Sequence, residues 1–138
     1  MFAYAMLGTN DLPRAVAFYG PLMELLGQPQ VGADTTLVTW GSYDDYDRPG
    51  FSIGRPVNGA AATTGNGTML AFRAVEAPLV DRLYAAAMAA GGTSEGLPGP
   101  RPGVWPGFYA AYVRDPDGNK ISFACYHDPA SVQPGDAS

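Results

Sequence analysis

Acid–base chemistry near neutral pH ordinarily draws on histidine, and this chain has one, His127, close to its end. Its single cysteine is Cys125. No nucleophile–base–acid motif, phosphate-cradling glycine loop or dinucleotide fingerprint is visible. A general base would therefore have to be a carboxylate or a tyrosine. Of the carboxylates, Glu24, Glu76, Asp81 and Glu95 lie outside the evident turns and the tail, the first three on expected helix exteriors. Asp44, Asp45 and Asp47 are clustered enough to suggest an irregular metal site, but Tyr43-Asp44-Asp45-Tyr46-Asp47-Arg48-Pro49-Gly50 reads as a solvated turn. Arginine offers clearer recognition chemistry, because a guanidinium facing a cleft grips a carboxylate or phosphate through two parallel hydrogen bonds. Arg55, Arg73, Arg101 and Arg114 are four of the eight basic residues. Arg114, directly before a turn, reads as a surface ion-pair partner, and Arg55 is expected on the face opposite Gly54. Arg101 shares a Pro/Gly-rich loop with Trp105, whose flat apolar ring suits a planar ligand, and Tyr109 follows on the next strand. Arg101, Trp105 and Tyr109 are therefore expected to bind ligand. Trp40 fits either a core or a pocket wall. Cys125 reads as a small core residue facing away from Ser122, three positions earlier on the same strand.

The elements that position these residues follow from a pattern written twice. Pro13 and Pro78, Tyr19 and Tyr84, Met23 and Met88, and Gly27 and Gly92 are each separated by 65 positions. In the first copy, Leu12, Ala15, Val16, Tyr19, Leu22, Met23 and Leu26 recur at helical spacing after the starter residues Asp11 and Pro13, and Gly27 closes the helix. In the second, Leu79, Val80, Leu83, Tyr84, Ala87 and Met88 form a like face, closed by Gly91-Gly92. Strands are expected at residues 2–8, around Gln30–Val31, and at Thr35–Tyr43, Phe51–Arg55, Thr68–Ala74, Phe108–Arg114 and Lys120–Tyr126. Gly96 to Gly107 reads as a loop, and Asp115-Pro116-Asp117-Gly118-Asn119 as a tight turn. The fold class is thus α+β: two βαβββ modules, about 1–57 and 68–126, joined by a linker at 58–67. A half this small buries a one-sided core. The two are expected to combine into one curved mixed sheet around a cleft, helices outside, as a single domain over 1–126. Residues 127–138 are expected to form a fraying tail.

Composition narrows the function classes. The 138 residues are 46% hydrophobic and 15% charged, which suits a globular domain. A net charge of −5 argues against nucleic acid as a partner, and the acidic balance would suit a cationic ligand. No apolar run is long enough for a membrane helix, and no signal-peptide pattern opens the chain. One cysteine permits no internal disulfide and favours a reducing, cytoplasmic location.

Three segments carry a family likeness. Leu7-Gly-Thr-Asn-Asp-Leu-Pro-Arg-Ala-Val-Ala-Phe-Tyr19, Gly67-Thr-Met-Leu-Ala-Phe72 and Arg114-Asp-Pro-Asp-Gly-Asn-Lys-Ile121 resemble the vicinal oxygen chelate superfamily, which includes glyoxalases, extradiol dioxygenases and bleomycin-resistance proteins. The resemblance implies four metal-ligand positions, usually His or Glu, at Tyr4, Met69, Ser122 and, less directly aligned, Gly54. Phenol, thioether, hydroxyl and glycine are not the imidazoles and carboxylates such metals take, so no metal and no cofactor is expected. Tyr4, Met69 and Ser122 are instead expected to line a repurposed pocket with Trp105, Arg101 and Tyr109. The resemblance then implies a metal-independent protein binding a small organic ligand in an aromatic cleft, akin to the bleomycin-resistance branch, and a homodimer. The alternative it leaves open is a glyoxalase-like lyase or isomerase, or a dioxygenase-related enzyme, acting through Tyr4, Ser122 or Arg101; no catalytic residue is assigned.

Overall fold

Asp11 starts the first helix by accepting a hydrogen bond on its carboxylate from the Arg14 amide at 3.1 Å, with Pro13 in the first turn. The helix ends where Gly27 turns to φ 68° and the Gln28 amide reaches back to the Met23 carbonyl at 2.9 Å. The second helix repeats this ending with Gly91 at φ 101° and the Gly92 amide on the Ala87 carbonyl. Around these helices the computed structural model, which describes residues 1–132, builds two βαβββ modules. The first holds β1 (Tyr4–Gly8), α1 (Leu12–Leu25), β2 (Gln30–Ala33), β3 (Leu37–Trp40) and β4 (Gly50–Gly54). The second holds β5 (Leu70–Arg73), α2 (Ala77–Ala89), β6 (Thr93–Pro100), β7 (Tyr109–Arg114) and β8 (Lys120–Cys125). Strand β6 falls largely inside the segment expected to be loop. Its Gly and Pro residues are tolerated because it pairs only with β7 at the sheet edge, with two register shifts.

The strands form two four-stranded sheets, ordered β1-β4-β3-β2 and β5-β8-β7-β6, rather than the single curved sheet expected. In each, the first strand runs parallel to the last and the remaining pairs are antiparallel. The linker separates them. Ala62 exchanges two hydrogen bonds with the Asn10 side chain, at 2.7 and 3.1 Å, and its neighbours reach the turn after β7.

What unites the modules is the core beneath the helices. Phe51 on β4 meets Phe72 on β5 edge-to-face at 5.0 Å, and Tyr19 of α1 lies against Phe51 at 4.9 Å. Phe72 continues to Phe123 at 6.3 Å. Trp40 is buried and stacks on Phe51, which makes it core and not pocket wall. Cys125 is likewise buried in this layer.

The turn after β7 does more than reverse the chain. Asp117 accepts hydrogen bonds from the Thr9 hydroxyl at 2.5 Å, the Asn10 amide at 2.9 Å and the Arg14 guanidinium at 3.1 Å, all in the first module. Buried Asp115 accepts from the Tyr19 hydroxyl at 2.6 Å, while Asn119 donates to the Gly8 carbonyl at 2.9 Å. The Asp-Pro-Asp-Gly-Asn run is a polar clasp holding the second module onto the β1–α1 junction.

The expected tail is partly structured. The Asp128 amide bonds the Gly107 carbonyl, and Pro129–Ser131 form a 3-10 turn with Ser131 buried. Residues 133–138 of that tail lie outside the described residues.

Candidate functional site

Strand pairing assigns each side chain to a face. Phe51, Ile53, Val38 and Trp40 in the first sheet, and Ile121, Phe123, Cys125, Ala111 and Val113 in the second, point into the helix-covered core. Their neighbours point the other way by alternation. On this open face of the second sheet, Ser122 has Ala71 on one side and Tyr112 on the other. The matching row in the first sheet is Met6, Ser52 and Thr39. With β1 and β5 matched at 65 positions, the register pairs β4 with β8 at 70, since Met6 lies opposite Ser52 and Ala71 opposite Ser122. The first-module counterpart of Ser122 is therefore Ser52, not Gly54. Loops of unequal length hid this from the sequence.

The six expected ligand-binding residues do not form one cluster. Tyr4, beside Gly50, and Met69, just before β5, are 68% and 46% exposed on the first strands of the two modules. Ser122 is only 1% exposed, at the centre of its sheet. Arg101 donates to the Leu97 carbonyl at 2.6 Å and the Pro100 carbonyl at 3.2 Å, and its guanidinium stands 5.6 Å from the Tyr112 ring centre. That contact sets Arg101 over the open face beside Ser122. Trp105 is 57% exposed in the turn after Arg101, with its amide on the Arg101 carbonyl. Tyr109 faces the other way: it pairs with Cys125 and donates its hydroxyl to Asp81 of α2 at 2.7 Å. That hydrogen bond, with some burial, pushes its pKa up to about 12.

Sequence reasoning missed Tyr112 and Lys120. Lys120 lies 5.7 Å from the same Tyr112 ring and, by alternation, on the same face as Ser122. Arg73, opposite Ala124, belongs to this face too. Arg114 is there as well but is neutralised by Glu95 at 2.8 Å, which holds the Glu95 carboxyl below its ordinary value. The signal was available: strands flanking a tight turn pair symmetrically, so Ser122 and Tyr112 had to be neighbours.

The two central rows differ in hydrogen bonding. Ser52 and Thr39 satisfy each other at 2.7 Å. At the equivalent place the Ser122 hydroxyl faces Tyr112 with no hydrogen-bond partner among the described residues. A separate groove of about 700 Å³ runs along the first module, lined by Met6, Leu37, Arg55 and Val57 among others. None of the six expected residues lines it, and Arg55 turns into it from just beyond β4.

The four positions at which the resemblance implied metal ligands, with Ser52 in place of Gly54, hold Tyr4, Ser52, Met69 and Ser122. A phenol, a thioether and two hydroxyls do not fit a divalent metal of the imidazole–carboxylate kind. Among the described residues no group of three or more His, Cys, Asp or Glu is placed to hold a metal ion. Asp44, Asp45 and Asp47 lie in an exposed turn in which Ser42 caps the amides of Asp44 and Asp45. No helix among the described residues is long and apolar enough to cross a membrane.

Comparison with known proteins agrees with this architecture. Residues 2–123 match the family model described as the Glyoxalase/Bleomycin resistance protein/Dioxygenase superfamily. A glyoxalase/bleomycin resistance protein from Albidiferax ferrireducens T118 is 40% identical, with a TM-score of 0.80 over 94% of this chain and 99% of that one. A glyoxalase-related enzyme from Fulvimarina pelagi is 25% identical, with a TM-score of 0.70 over 100% and 95% of the two chains. A lactoylglutathione lyase from Agrobacterium tumefaciens shares the fold at 21% identity and a TM-score of 0.61, over 90% and 92%. A search of curated proteins finds no match.

Proposed function

The chain belongs to the glyoxalase/bleomycin resistance protein/dioxygenase superfamily, and from that premise we propose that it is a metal-independent binding protein for a small organic molecule. The observation that carries this reading is the donor set at the inherited ligand positions, Tyr4, Ser52, Met69 and Ser122, which offers hydrogen bonds and apolar contact but no metal ligation of the usual kind. The ligand sits against the open sheet faces, with Tyr4, Met69, Ser122 and Arg101 as contacts and Trp105 as an aromatic wall. Tyr109, turned toward α2, is left out of this set.

The same reading makes the protein a homodimer. Tyr4, Met6 and Met69 are large apolar side chains exposed on the first strands of both modules, and a second copy laid across them would enclose the ligand. A cytoplasmic setting goes with it, supported by the single, buried cysteine.

Native mass spectrometry of the protein, purified without added metal or chelator, tests the proposal. The expected result is a dimer carrying an organic adduct and no metal. A stoichiometric divalent ion, together with metal-dependent turnover of a glyoxalase or dioxygenase substrate, would overturn it.

A further inference from the structure

Four of the eight basic residues, Arg73, Arg101, Arg114 and Lys120, gather on or over the open face of the second sheet, although the whole chain carries −5. Glu95 neutralises Arg114, while Arg73, Arg101 and Lys120 have no carboxylate partner among the described residues. Arg101 and Lys120 both lie over Tyr112, at 5.6 and 5.7 Å from its ring centre, so at most 11.3 Å separates them. Two like charges are held near each other here by backbone carbonyls and a π-face, while Glu95, whose carboxylate feels Lys120, is bound to Arg114. Beside them the Ser122 hydroxyl, not sealed from solvent, makes no side-chain hydrogen bond among the described residues, whereas its equivalent Ser52 is paired with Thr39. That hydroxyl is open to donate its proton to an anionic oxygen.

We propose that this face, built by Arg101, Lys120, Tyr112 and Ser122, is an anion seat, and that the ligand is a small aromatic molecule bearing a carboxylate, sulfonate or phosphate group. The head group lies between the guanidinium and the ammonium and accepts from the Ser122 hydroxyl. The aromatic body extends toward Trp105, whose turn begins at Arg101. This rests on the small-molecule reading above and reverses the cationic ligand suggested by net charge, because a bound group feels nearby charges far more than distant screened ones.

Two fluorescent probes with the same aromatic skeleton test it: anionic 8-anilinonaphthalene-1-sulfonate and neutral N-phenyl-1-naphthylamine. The sulfonate is expected to bind at least ~10-fold more tightly, the scale of one charge-assisted hydrogen bond, and to weaken as salt is added. Lys120→Gln and Arg101→Gln should each erase most of that preference, with an unchanged urea-denaturation midpoint as the control that the fold is intact. Arg55→Gln, in the groove of the first module, should change neither. Equal binding of the two probes, or a loss on Arg55→Gln in place of Lys120→Gln, overturns the anion seat and leaves the binding reading standing. Failure of both probes to bind overturns both.

Discussion

Replacing Asp117 with alanine should unfasten the two modules, and the cost can be worked from the clasp. The Thr9 hydroxyl is fully buried and donates to the Asp117 carboxylate at 2.5 Å. A hydrogen bond to a charged acceptor contributes about 1.5–3 kcal/mol. The Asn10 amide at 2.9 Å is exposed and regains water on mutation, so it adds at most about 0.5 kcal/mol. The Arg14 ion pair at 3.1 Å has its guanidinium 47% exposed, and solvent screening limits it to about 0.5 kcal/mol. The total is about 3 kcal/mol. With an unfolding entropy of about 2.1 cal/mol/K per residue, that lowers Tm by about 10 °C. Urea denaturation of wild type, Asp117→Ala, Thr9→Val and the double variant isolates the central contact. The cycle should return a coupling of about 1.5 kcal/mol between residues 108 positions apart. A single-variant cost below about 1 kcal/mol, or additivity within about 0.4 kcal/mol, would refute the clasp and reduce the motif to an ordinary turn.

Other outcomes test separate parts of the fold. Phe72→Ala removes the ring that joins Phe51, Tyr19 and Phe123 across the module boundary, and should cost about 3–5 kcal/mol in chemical denaturation. Gly54→Ala would bring a Cβ to 2.6 Å from Leu37 Cδ1 and 2.8 Å from the Thr36 carbonyl, so it should destabilise by about 1–3 kcal/mol despite lying on an open face. Alkali should weaken the protein through its tyrosines. Tyr109 is pushed up to about 12 by its bond to Asp81, and Tyr19 is raised further by burial and by Asp115. A phenol whose pKa is higher folded than unfolded stabilises fully below about pH 10, the ordinary value, and loses that contribution as pH rises through the folded value. Denaturation midpoints should therefore hold up to about pH 10 and fall above it, with a shallower fall between about pH 10 and 12 in Tyr109→Phe; an unchanged slope would contradict the Asp81 contact.

Much of the architecture was legible because it is local. Helical spacing, the Asp11 cap and the glycines after each helix depend on residues a few positions apart, and their repetition after 65 positions exposed two modules before any contact was known. The expectation that the usual metal ligands are missing also came from sequence, since ligand chemistry is a property of residue type and a chain with one histidine has few imidazoles to offer. The rest depended on pairing across distance. Tertiary structure alone replaced Gly54 with Ser52 as the partner of Ser122, because register depends on loop lengths that differ between the halves. It turned Tyr109 toward α2, found β6 in a Gly/Pro run that only an edge position tolerates, and used a turn motif to hold two modules together. It also decided charge: composition reports a sum, whereas strand pairing, with the Arg101 contact to Tyr112, gathered half of the basic residues at one face of an acidic protein. Net charge belongs to the chain, but a ligand meets only the few charges that folding places beside it.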